Sequence, residues 1–347
     1  MKRRLFLHAG SAAAVSTLAA CGGGGGDTAD QLSAPAPTVG AAQEPDVLRG
    51  QDPSPTPTPN PTEAQDVTSA PTASALPEKI LGCYYTTWDT GTYKITDVPD
   101  AFNLIFLFHS KPNGAAVNGS FNNVGNGSFM FEHYSAVSAE QIQVCRRRGQ
   151  RVILTVGGAH AGYAWDTRTK SHNFVESFKT MYARLGGVDG IDFNNYEATI
   201  LNQSNIGAVS TEMIWIASQL KGMYGSSFAV TSPPQPNSPE QQALMAAMAK
   251  AGVLDCAGPQ FYDWSGFNAP GYIEGRMDNW VELLGGPSRA LVGLSANYSN
   301  GPSMADCIRE WNAVKRKYPS VRGAFCWSAQ TMLAGGGGWG RTLKSML

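Results

Sequence analysis

Between residues 79 and 347 the chain repeats one pattern eight times: a short, nearly unbroken apolar run, a break, then a stretch with helical spacing. The runs are Ile80–Thr86, Asn103–Phe108, Arg151–Val156, Gly190–Tyr196, Phe228–Ser232, Leu254–Phe261, Ala290–Ser295 and Gly323–Trp327. Runs of this length without a polar face predict strands buried on both sides, as in a parallel sheet covered by helices. Eight of them in one domain's length of chain predict a single (β/α)8 TIM barrel, an α/β fold, and leave little room for a second domain.

The helices between the runs have readable ends. Ser171 is placed to cap a helix whose residues Phe174, Phe178, Met181, Tyr182 and Leu185 recur on one face, with Gly186-Gly187 as the stop. Ser238-Pro239-Glu240 supplies a cap and a first-turn proline, and Gly252 ends that helix. A third begins near Ser303 and runs through Trp311 to Lys317. Residues 110–137, rich in Gly, Asn and Ser, predict a long loop at the barrel mouth.

The first 78 residues belong to something else. Arg3-Arg4-Leu5-Phe6-Leu7, an Ala-rich apolar stretch and Leu18-Ala19-Ala20-Cys21 resemble a twin-arginine export signal ending in a bacterial lipobox. Residues 1–21 are therefore expected to be a signal peptide and Cys21 the lipidated N-terminus. Gly22 after the cysteine points to the outer membrane of the cell envelope. Residues 22–78 open with five glycines and continue in Pro, Thr, Ser and Ala, a composition that buries too little apolar surface to offset its ordering entropy. They predict a disordered tether, with the barrel in 79–347. No later segment has the apolar length of a membrane span, so attachment by lipid alone is expected.

With 26 basic against 27 acidic side chains the net charge is −1, which removes the electrostatic case for nucleic acid or an anionic polymer. A neutral partner and a monomer are expected. Beyond Cys21 there are Cys83, Cys145, Cys256, Cys307 and Cys326; their odd number leaves a thiol free, and three fall in buried runs, so they read as small core residues. His109, His133, His160 and His172 lack close ligand spacing, Gly335–Gly340 lacks the lysine of a phosphate loop, and no Gly-x-Ser-x-Gly elbow is present. No metal site and no cofactor are expected.

In such a barrel the chemistry sits at the C-terminal ends of the strands and in the loops that follow. Those ends carry Trp88 and Asp89, His109, Gly157-Gly158 and His160, the segment Val188–Ala198, Gln235, Gln260 through Trp264, Asn297, Trp327 and Gln330. Such convergent polar and aromatic groups suit a sugar cleft. Four of these ends, in order, resemble glycoside hydrolase family 18, the chitinases and endo-N-acetylglucosaminidases, and within it the class III chitinases. Thr155-Val156-Gly157-Gly158 is similar to the family's Ser-x-Gly-Gly, and Pro233-Pro234-Gln235-Pro236 to its proline-rich fifth strand end. Gln260-Phe261-Tyr262-Asp263 resembles Gln-Phe-Tyr-Asn, and Cys326-Trp327-Ser328 resembles Leu-Trp-Ser.

The family's catalytic strand reads Asp-x-x-Asp-x-Asp-x-Glu; in register this chain has Asp189, Asp192, Asn194 and Tyr196, with Glu197 one residue late. Side chains alternate along a strand, so Asp192, Asn194 and Tyr196 share one face, and Glu197 reaches it only through a bulge. The resemblance implies that Tyr262 bonds an N-acetyl carbonyl, that Trp327 floors the cleavage subsite, and that Gln260 and Asp263 bind the sugar's polar groups. Trp88, Gly157 and Gln235 complete the substrate-binding set. Asn194 keeps an acceptor for the acetamido N–H but no charge, and Tyr196 is a poor proton donor at neutral pH. Two functions stay open: a binder of N-acetylglucosamine-containing glycans with lost or reduced hydrolysis, and a working hydrolase in which Glu197 is the acid of a substrate-assisted retaining mechanism. A third is a scaffold or inhibitor that binds protein through the barrel loops. Asp189 and Asp192 could equally serve only to hold the strand.

Overall fold

The computed structural model describes residues 73–88, 91–194, 200–263, 266–295, 302–335 and 342. The chain divides into units 1–63 and 64–347, and every described residue belongs to the second. Cys21, Asp89, Tyr196, Glu197, Trp264 and Asn297 lie outside the described residues.

Eight strands pair in parallel: β1 (Ile80–Thr86), β2 (Leu104–Pro112), β4 (Arg151–Gly157), β5 (Gly190–Asn194), β6 (Ala229–Ser232), β7 (Cys256–Ala257), β8 (Leu291–Leu294) and β9 (Gly323–Cys326). The sheet runs β7-β6-β5-β4-β2-β1-β9-β8. Parallel bridges between Ala257 and Ala290 and between Gln260 and Gly293 bring its two ends together. This is the expected (β/α)8 TIM barrel, with α1 (Ala139–Arg147), α2 (Arg168–Arg184), α3 (Ile206–Tyr224), α4 (Pro239–Lys250), α5 (Tyr272–Leu283), α6 (Met304–Lys317) and α7 (Ala329–Ala334) between and after the strands. No helix among the described residues is long and apolar enough to cross a membrane.

Because a strand repeats every two residues, each run divides its apolar side chains between two cores. Ile80, Tyr84, Leu104, Phe106, Phe108, Ile153, Leu291 and Phe325 meet inside the barrel. Their neighbours Leu81, Cys83, Tyr85, Ile105, Leu107, Leu154 and Val292 face outward and pack against helical residues such as Phe174, Phe178 and Met213. The interior is filled by aromatic rings: Tyr84 stacks on Phe106 at 4.5 Å and meets Phe325 edge-on at 5.3 Å. Gly293 makes room for them, since a Cβ there would come within 2.5 Å of the Phe325 ring. All five described cysteines are buried free thiols, as their place in the apolar runs implies.

Four of the seven α-helices among the described residues begin at a side-chain cap. Ser238 caps α4 with Pro239 in its first turn, and Ser303 caps α6 in a reciprocal box with Asp306. The expected cap of α2 is corrected: Thr167, not Ser171, accepts from the Lys170 amide, and Ser171 lies one turn inside with its hydroxyl bonded to the Thr167 carbonyl at 3.1 Å. A serine can satisfy itself against the preceding turn as well as at a cap, so composition alone placed the boundary late.

Two segments are more ordered than their composition predicts. Residues 73–78, assigned to the tether, lie against the N-terminal end of the barrel: Ser74 donates to Asp189 at 3.1 Å, and Arg151 and Arg322 donate to the Ala75 and Pro77 carbonyls. The Gly- and Asn-rich stretch after β2 contains a short strand, β3 (Phe129–Met130), antiparallel to β2. It is also fastened to the loop after β4. Phe121 and Asn123 donate to the His160 and Gly162 carbonyls, and Trp165 Nε1 donates to Gly127 at 3.0 Å.

Candidate functional site

Asp192 points into the barrel interior from β5. The register aligns it with Thr155 on β4 and Thr231 on β6, so both hydroxyls point at its carboxylate. Thr155 Oγ1 donates at 3.0 Å, Thr231 Oγ1 at 2.7 Å, and Tyr84 reaches across from β1 to donate at 2.8 Å. The carboxyl is fully buried, and burial pushes it up to about 6, against the three donors that pull it down. The same burial, together with the carboxylate, raises the Tyr84 phenol well above its ordinary range.

Asp189, three residues earlier, has the opposite parity and a different task. It accepts from the Val152 and Ser74 amides and pairs with Arg146 at 3.0 Å, tying α1 and residues 73–78 to the start of β5. It is a fastening of the barrel, away from the mouth. Asn194 ends β5 beside Gly157 and is half-buried. Tyr196 and Glu197, on which the expected acid chemistry rests, lie outside the described residues.

An aromatic cluster forms around Trp327. Its ring is half-buried, 5.4 Å from Tyr84 and edge-on to Phe108 at 4.8 Å. Tyr262, only 2% exposed, joins the same interior cluster. Trp88 is 55% exposed and packs edge-on against Phe108 and His109, so it extends the aromatic surface outward from that cluster. Tyr262, Trp327, Asn194 and Asp192 thus converge at one end of the barrel.

The remaining candidates are less free than their positions suggested. Gln260 is half-buried and its amide donates to the Pro233 carbonyl at 2.6 Å. Gln235 gives its backbone amide to Gln241 and has a half-buried side chain beside it. Asp263 is exposed and has a left-handed backbone with φ 69°. Gln330 is a clamp, exchanging two hydrogen bonds with the backbone of Thr86 and fixing the end of β1. The Gly157 carbonyl accepts from the His109 ring, and its φ of 83° is in the left-handed region that favours glycine. At the adjacent Gly158, φ is 118° and a Cβ would come within 2.5 Å of Phe108.

Tyr84, Thr155 and Thr231 escaped the sequence reading as partners of Asp192. Their signal is parity: each is an inward polar residue, and Thr155 and Thr231 are in register with Asp192. Burial holds His109 down at about 4, so it is neutral at physiological pH with Nδ1–H donated to Gly157. Among the described residues no cluster of His, Cys, Asp or Glu could hold a metal ion.

No protein-family model matches the chain. The geometry does match solved structures. A family GH18 chitinase from Chromobacterium violaceum superposes with a TM-score of 0.64 at 18% identity, over 79% of this chain and 84% of that one. The fold is that of the family 18 chitinases. The family 18 chitinase from Crocus vernus gives a TM-score of 0.63 at 18% identity, over 77% of this chain and 99% of that one. The Group IV chitinase of Ostrinia furnacalis, solved with allosamidin, gives 0.57 at 15%, over 77% and 98%. Among curated proteins, Chitinase 2 of Rhizopus oligosporus is 23% identical over 148 residues. Those residues are 42% of this chain and 27% of that protein, so the match spans about a quarter of the relative. The family 18 barrel is therefore shared with proteins of low sequence identity, and the short curated match is to a chitinase as well.

Proposed function

We propose that this chain is a family 18-like protein whose barrel mouth binds N-acetylglucosamine-containing glycans, with hydrolysis lost or reduced. The observation that carries the reading is the convergence of Trp327, Tyr262 and the buried Asp192 carboxyl at one end of the barrel, next to an uncharged Asn194. A half-buried indole offers a flat apolar face to a sugar ring, and hydroxyl and carboxyl groups beside it fix orientation. Where the family motif has a third acid, Asn194 accepts an acetamido N–H without charge to stabilise a cationic oxazolinium. Tyr196 in the acid's register is a phenol whose proton is held too tightly for a glycosidic oxygen at neutral pH. The solved relatives named chitinases, one of them with allosamidin bound, support this class of ligand.

Hydrolysis is the second reading, favoured by Asp192: a carboxyl pushed up to about 6 within the mouth exchanges its proton near neutral pH. In that reading Glu197 delivers the proton to the leaving oxygen, the acetamido oxygen of the substrate attacks the anomeric carbon, and configuration is retained. We further propose export, lipidation at Cys21 and attachment to the cell envelope, resting on the signal and lipobox pattern. Calorimetry with N-acetylglucosamine oligomers, run beside a product assay on the same oligomers, tests the function. Binding without turnover supports the first reading, binding with turnover supports the second, and no binding removes both.

A further inference from the structure

Beside the mouth, the fastened loops enclose a cavity of about 220 Å³ lined by His109, Lys111, Phe121, Glu132, His133 and His160, among others. Three elements build it: the end of β2, the excursion through β3, and the loop after β4. Their backbones are bonded together, with Phe121 donating to His160 at 2.6 Å, so the walls are set before any ligand arrives. The lining is unlike the aromatic floor. Lys111 lies 4.1 Å above the Phe121 ring and pairs with Glu132 at 2.6 Å, and His109, His133 and His160 line the same cavity. Glu132 is the single acidic side chain among these residues, and its side chain is 43% exposed.

A chain of ring contacts links the cavity wall to Trp327. Trp327 meets Phe108, Phe108 stacks on His109 at 4.3 Å, and the exposed Trp88 lies 5.6 Å from the same imidazole. A glycan lying over Trp327 and Trp88 would bring its next ring to this opening. The cavity is smaller than the roughly 300–1,000 Å³ of sites for drug-sized ligands, so it takes one ring or one substituent. The chain's net charge of −1 argues against a polyanion, but says nothing against one negative group at one place.

Resting on the glycan reading above, we propose that this cavity is a subsite for a sugar that carries a carboxylate. Lys111 supplies the charge, and the His133 and His160 rings supply N–H donors. His109, with Nδ1–H committed to Gly157, keeps Nε2 as an acceptor for a sugar hydroxyl. Glu132 competes with the ligand for Lys111, so the pocket exchanges an internal ion pair for an external one and selects rather than clamps.

The test is calorimetry on the full chain with two tetramers of N-acetylglucosamine, one neutral and one with an O-lactyl carboxylate on a terminal ring. The acidic tetramer should bind about tenfold more tightly, the worth of one charge-assisted hydrogen bond. Lys111→Met should erase that preference. Glu132→Gln should widen it several-fold, a gain that misfolding cannot mimic. Equal affinities in the wild type, or a preference that both substitutions leave alone, overturn the subsite while the cleft reading stands. If the neutral tetramer fails to bind, the cleft reading falls. The subsite then survives only if the acidic tetramer binds and Lys111→Met abolishes that binding.

Discussion

Tyr84 and Asp192, 108 positions apart, meet inside the barrel with the phenol donating to the carboxylate at 2.8 Å. The contact joins β1 to β5 across the interior, where Thr155 and Thr231 donate to the same carboxylate. A buried acid with three donors is held in one orientation, and its ionisation is set by the balance between burial and those donors.

That balance predicts a pH dependence of stability. Burial lifts the Asp192 carboxyl from its ordinary value of 3.8 to about 6 in the folded chain, so between those values the folded state holds the extra proton. Its contribution is fully present below pH ~4 and is lost as pH rises through about 6. Relative to an Asp192→Asn variant, the wild type should lose on the order of 2–3 kcal/mol over that window. Urea titrations of both proteins between pH 4 and 7 check this; parallel stability curves would show that Asp192 keeps its ordinary pKa.

The aromatic floor should dominate affinity. Trp327→Ala and Tyr262→Phe remove, respectively, the ring face and the hydroxyl that the glycan reading assigns to the sugar. Trp327→Ala should weaken binding of N-acetylglucosamine oligomers by roughly 1–3 kcal/mol, and Tyr262→Phe by about 1 kcal/mol. Unchanged affinity in folded variants would take both residues out of the site.

Activity turns on a one-residue offset. If the chain is a binder, the wild type shows no turnover, and Asn194→Asp with Tyr196→Glu should restore some by rebuilding an acid and its charged partner in strand register. If Glu197 is the acid, the wild type already hydrolyses with retention and Glu197→Gln abolishes it without loss of binding. Chromatography of oligomer products separates the cases. Wild-type hydrolysis that Glu197→Gln leaves intact would contradict both.

Cys21→Ser should move an otherwise folded protein from the membrane fraction to the soluble one, because acylation needs the thiol. Fractionation and mass spectrometry of the mature N-terminus read this directly. A soluble, unacylated wild type that retains residues 1–21 would end the lipoprotein assignment.

The sequence by itself determined the eight apolar runs, their parity and the glycines and caps that end the helices, because these depend on periods of two and 3.6 within a few residues. Ile80–Thr86 and the Ser238 and Ser303 caps could be read directly from it. Short matches at strand ends singled out Trp327 and Tyr262, and the structure places both beside the interior ring cluster. Only the tertiary structure decided which acid did what. Asp189 and Asp192 are equivalent as letters, yet one pairs with Arg146 outside the mouth and the other with Tyr84, Thr155 and Thr231 within it. The histidine-lined cavity was equally invisible, since its walls come from segments tens of residues apart that meet only after the strands close. Local pattern sets which way a side chain points; the partner it finds there depends on long-range closure, and on this rest its charge, its pKa and its use.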